Sequence, residues 1–91
     1  MGPDHPGIAT YLNHLAAFYE REGKSSRAEK LFKRVLAIQE ARPGTENSRL
    51  ADAYANLERF YARHGKKRQS AEIAARANVV LARSALVGTK K

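Results

Sequence analysis

Three histidines, His5, His14 and His64, are the only imidazoles in the chain, and there is no cysteine. A zinc site needs several histidine, cysteine or carboxylate ligands converging on one point. His5 stands ahead of a helical stretch, His14 inside it and His64 at the end of another, and no two are at ligand spacing. The sequence therefore predicts no metal and no cofactor. Glu20 and Glu22 flank Arg21, but residues two apart on a helix point to different faces. Paired-carboxylate hydrolysis needs two carboxyls facing each other across a cleft. There is no glycine-rich phosphate loop and no serine in a nucleophile elbow. These residues predict a protein that is not an enzyme.

Arg63, Lys66, Lys67 and Arg68 form the sharpest charge cluster. One reading is contact with nucleic-acid phosphates, an affinity that requires no particular base sequence. The other is a solvated turn between two helices, with Arg63 complementing a helix C-terminus. No aromatic is interleaved to stack on bases, because Tyr54, Phe60 and Tyr61 all fall on an apolar helical face. The second reading is preferred. The whole chain carries 17 Lys/Arg against 9 Asp/Glu, a net charge of +8. Residues 1–42 contribute +2 and residues 43–91 contribute +6, so the excess sits in the second half. Such a balance favours an acidic partner or serves solubility.

The elements that must position these residues are helices. Ile8, Tyr11, Leu12, Leu15, Phe18 and Tyr19 recur at three and four, one helical face, and predict a helix from about Pro6 to Glu22. Gly23 ends it, since glycine takes the left-handed cap conformation without a Cβ penalty. Ser26 followed three later by Glu29 has capping-box spacing and predicts a second helix from about Ser26 to Ala41, stopped by Pro43-Gly44. A third helix is expected from about Ser48 to His64, ended by Gly65, and a fourth from about Lys67 to Leu86. Residues 87–91 should fray. Nothing alternates at period two. No apolar run approaches the ~20 residues that span a bilayer, and the opening residues do not read as a signal peptide or, with Pro6 where serine or threonine is required, as a myristoylation site. With no cysteine to pair, a cytoplasmic location is expected.

The halves are copies. Gly23 recurs as Gly65, an offset of 42 residues that carries Leu15 onto Leu57, Phe18 onto Phe60, Tyr19 onto Tyr61, Lys24 onto Lys66 and Leu31 onto Ile73. Internal repetition of this kind signals a helical repeat array. Leu12-x-x-Leu15-Ala16-x-x-Tyr19, then Ala28-x-x-x-Phe32, resembles the tetratricopeptide repeat; the second copy reads Tyr54-x-x-Leu57-Glu58-x-x-Tyr61, then Ser70-x-x-x-Ala74. The 42-residue spacing, longer than the usual 34, looks like the subclass found in kinesin light chain. The fold expected is all-α, an α-α superhelix built as an array of two antiparallel helical hairpins. It would form a single domain over residues 1–91, with repeat one at about 2–43, repeat two at about 44–86 and a tail at 87–91. Leu15, Tyr19, Ala28, Phe32, Leu57 and Tyr61 should be buried. Ala16 and Ala28 should let the first two helices approach closely, since closely packed helices lie about 8–10 Å apart. Glu58 in place of the small residue, and Ala74 in place of the large aromatic, predict that the second unit packs more loosely or against something else.

The resemblance implies a protein–protein interaction scaffold, with a peptide or partner helix held in a groove lined by the first helix of each repeat. The residues this assigns to the groove are Asn13, His14, Ala17, Glu20, Arg21, Asn56, Arg59 and Arg63. Amides supply both donor and acceptor to an extended peptide, and guanidinium groups grip carboxylates, so an acidic peptide is the expected ligand. The alternatives are a basic module associated with nucleic acid and a self-assembly module. Repeat arrays generally want three or more units, and this chain has two. The fourth helix carries Val79, Val80, Leu81, Leu86 and Val87, too many for one narrow stripe. The chain is therefore expected to continue in a longer array or to pair through the fourth helix as a homodimer.

Overall fold

The structure, a computed structural model, describes residues 6–41 and 47–89. It contains α1 (Pro6–Arg21), α2 (Ser25–Ala41), α3 (Asn47–Arg63) and α4 (Lys67–Thr89), with no strand among the described residues. The chain is all-α, as the periodicity predicts. It divides into two compact units, Met1–Thr45 and Glu46–Lys91; α1 packs on α2 in the first, and α3 on α4 in the second. His5, the Pro43-Gly44 stop and the last two lysines lie outside the described residues.

Each hairpin turns on a glycine with positive φ, Gly23 at 81° and Gly65 at 73°. In the first, the Gly23 N–H donates to the Glu20 carbonyl (3.1 Å) and the Lys24 N–H to the Tyr19 carbonyl (2.9 Å). This is the Schellman arrangement, which satisfies carbonyls that the end of α1 would leave unpaired. In the second, Gly65 donates to Ala62 (3.2 Å) and Lys66 to Tyr61 (2.9 Å). The lysine after each glycine also starts the next helix: the Lys24 carbonyl accepts from Ala28 N–H (3.1 Å) and the Lys66 carbonyl from Ser70 N–H (3.0 Å). The capping box expected at Ser26 and Glu29 is therefore corrected. Helix α2 begins at Ser25, because Lys24, fixed by the bond to Tyr19, already aims its carbonyl along the new axis. Expected ends at Glu22 and His64 move back one residue into the turns. At the far end, α4 runs on to Thr89, so residues 87–89 are helical; Gly88 is no stop without a proline behind it, costing only about 1 kcal/mol in a helix.

The first hairpin closes on small residues. Ala16 and Ala28 are both fully buried, and Phe32 and Val35 are buried with them. Tyr19 is half-buried at the turn, with Lys24 Nζ 6.0 Å and Arg27 Cζ 5.7 Å from its ring centroid. Such cation–π contacts contribute about 0.5–1 kcal/mol at exposed sites. Leu15 and Tyr19, expected to be buried, are only half-buried. Tyr11 and Phe18, expected on the core face, are 61% and 46% exposed. The reason is that α2 covers only one side of α1, and the apolar arc of α1 is wider than that side.

The second hairpin differs. On α3, Tyr54, Leu57, Phe60 and Tyr61 are buried almost completely. On α4, Ile73 is buried. Where the first hairpin sets Ala16 and Ala28, the second has half-buried Glu58 and Ser70. The Ser70 hydroxyl donates across to the Glu58 backbone carbonyl (3.3 Å).

Three stability outcomes follow. A Cβ at Gly23 or Gly65 meets nothing within 4 Å, so Gly→Ala at either turn is opposed by backbone conformation alone. Each should cost about 1–2 kcal/mol, with Asn costing less, measured by urea denaturation; a neutral Gly→Ala would contradict the left-handed turn. Phe32→Ala should cost about 3–5 kcal/mol, close to the whole stability of a small domain. An unchanged melting temperature would contradict its place in the core. Gln39 is buried, and no donor among the described residues reaches its Oε1. The offset of 42 carries Gln39 onto Leu81, so Gln39→Leu should raise stability by about 1 kcal/mol; a fall of that size would show that the amide is satisfied.

Candidate functional site

With the apolar arcs of α1 and α3 turned inward, each helix presents a polar face. On α1 that face holds half-buried Asn13, Ala17 and Glu20, with His14 and Arg21 exposed at its edge. On α3 the corresponding residues are half-buried Asn56 and exposed Arg59 and Arg63. The structure joins one pair directly: Arg59 Nη2 donates to Asn56 Oδ1 at 2.6 Å. This bond sets the direction of the guanidinium and occupies an acceptor oxygen. Arginine carries five N–H donors and no acceptor, so Arg59 offers a ligand donors alone. One turn further, Arg63 lies in the last turn of α3, where its charge complements the helix dipole.

The other candidates take ordinary places. His14 and His64 are exposed, and His64 lies against Phe60, ring centroids 4.5 Å apart at 43°. Among the described residues no three His, Cys, Asp or Glu side chains gather as a metal site. Arg63, Lys66, Lys67 and Arg68 are all exposed around the α3–α4 turn. The aromatics nearest in sequence, Phe60 and Tyr61, are buried. No helix among the described residues is long and apolar enough to cross a membrane.

A tetratricopeptide repeat family model matches residues 7–77. The chain belongs to the tetratricopeptide repeat family. Neither the curated proteins nor the solved structures gave a match. Repeats of this family generally mediate protein–protein interaction and are typically non-catalytic. In these terms the first copy keeps the tetratricopeptide signature: small Ala16 and Ala28 are buried, and Phe32 fills the space beside them. The second copy departs from it in a way that opens space. Glu58, Ala62, Lys67, Ser70, Ala71 and Ala74 line a cleft of about 290 Å³ between α3 and α4. Glu58, Ser70 and Ala74 stand where the first copy has Ala16, Ala28 and Phe32. Two features lie outside the predicted site residues. The cleft was signalled in the sequence by these substitutions. The exposed pair Tyr11 and Phe18 was read as core; its one signal was that Tyr11 falls on Ala53, breaking the repeat.

Proposed function

We propose that this chain is a non-catalytic scaffold whose α1 and α3 polar faces hold a peptide or partner helix of acidic character. The observation that carries the reading is the Arg59–Asn56 pair at 2.6 Å, with exposed Arg63 beyond it on α3, on a chain of net charge +8. Donors fixed on a helix face suit carboxylate and backbone carbonyl acceptors, and the charge steers an acidic partner toward them. On α1, Asn13 and Glu20 would contribute amide and carboxylate contacts, with Ala17 leaving room for a ligand backbone. The 42-residue spacing supports placing the chain with the kinesin-light-chain-like subclass, and the lack of cysteine supports a cytoplasmic location. Contact of the Arg63, Lys66, Lys67 and Arg68 cluster with nucleic acid is the second reading, favoured by the exposure of all four. It lacks stacking rings, since Tyr54, Phe60 and Tyr61 are buried.

A panel of acidic, neutral and basic peptides, titrated by fluorescence anisotropy, tests the proposal. Acidic members should bind best, and Arg59→Ala or Asn56→Ala should weaken them about tenfold with helicity unchanged. Equal affinity across the panel would refute the charge preference. Tighter binding to mixed oligonucleotides, falling steeply with salt, would support the second reading instead.

A further inference from the structure

The two copies fail to match in a complementary way. In the first, α1 exposes Tyr11 and Phe18; with His14 and Arg21, also exposed, they follow one another at spacings of three and four along one stripe of the helix. The same two positions in the second copy, Ala53 and Phe60, are buried. The aromatic positions of the stripe thus fall where the second copy is covered, while His14 and Arg21 fall on half-buried Asn56 and exposed Arg63.

In the second copy, the α3–α4 cleft is lined by Ala62, Ser70, Ala71 and Ala74, with Glu58 and Lys67 beside them. It is open where the first copy is filled by Phe32. Its volume of about 290 Å³ leaves ample room for an aromatic side chain. One copy thus offers surplus aromatic rings beside cationic Arg21. The other offers a cleft of small residues that carries the Glu58 carboxylate as well as the Lys67 ammonium.

We propose that the chain associates head to tail: the Tyr11–Phe18 stripe on α1 of one copy seats in the α3–α4 cleft of a second copy, with Phe18 beside Ala74 and Arg21 facing Glu58. The contact is heterologous, since the two surfaces differ, so an open assembly leaves one stripe and one cleft unused at its two ends unless it closes on itself. Arg21 borders both surfaces, but Asn56 and Arg59 take no part, so their alanine variants separate loss of peptide binding from loss of self-association.

Two variants test this in the 91-residue chain. Phe18→Glu places a charge on the stripe at an exposed site, and Phe18→Ser serves if the glutamate lowers helicity. Ala74→Phe fills the cleft with the residue the first copy carries. Circular dichroism should show both folded. By sedimentation over a dilution series, the parent should show a mass that rises with concentration. Each variant alone should weaken association at least about tenfold. An equimolar mixture of the two should form a one-to-one complex, because one intact cleft and one intact stripe remain. A parent that is monomeric at every concentration would overturn the proposal. So would variants that associate like the parent, as symmetric pairing through α4 requires, or a mixture that gains nothing over its components.

Discussion

The fold depends on a carbonyl and an N–H of the same lysine. Lys24 closes α1 through its N–H and opens α2 through its carbonyl, and Lys66 does the same for α3 and α4. That economy is possible because the residue before each is a glycine in the left-handed region. It folds the chain back before the last carbonyls of the helix are left without donors. The reversal is complete within three residues, so the two helices must lie side by side. Side-by-side helices then require small residues where they come closest, and Ala16 and Ala28 meet that requirement in the first hairpin.

The second hairpin keeps the turn and relaxes the packing. Glu58 and Ser70 replace the two alanines, and the serine hydroxyl bonds to the backbone of the facing helix in place of apolar contact. Ala74 then withdraws the ring that Phe32 supplies in the first copy. Burial compensates on α3, where Leu57, Phe60 and Tyr61 are all inside. The chain therefore holds one hairpin closed on small residues and one with a cleft in its side, both built on the same turn.

Much of this was legible in the residues. Gly23 and Gly65 mark the turns, and the three-and-four spacing marks four helices, because both signals are local. Boundaries were legible to within a residue at the turns. The start of α2 was not read correctly because Ser26 and Glu29 satisfy a capping pattern that the Schellman turn overrides. Burial was less legible. Tyr11 and Phe18 look like core on a helical wheel, yet whether an apolar residue is covered depends on what lies across from it. The polar face could be read as polar; that Arg59 is tied to Asn56 could not, since a spacing of three permits a contact without requiring it.

The shared lysine also gives each hairpin a fixed phase. A helix advances about 100° per residue, and the turn has no slack residue to absorb an extra one. Insert a single residue between Gly23 and Ser25 and each inward position of α2 passes to its predecessor. Arg27 would arrive where Ala28 meets the facing helix, and Arg34 where Val35 is buried. Arginine is almost never fully buried without a partner, so such a frame is closed to the chain. Residue identity at the turn can drift, as Ser25 against Lys67 shows, but its length cannot.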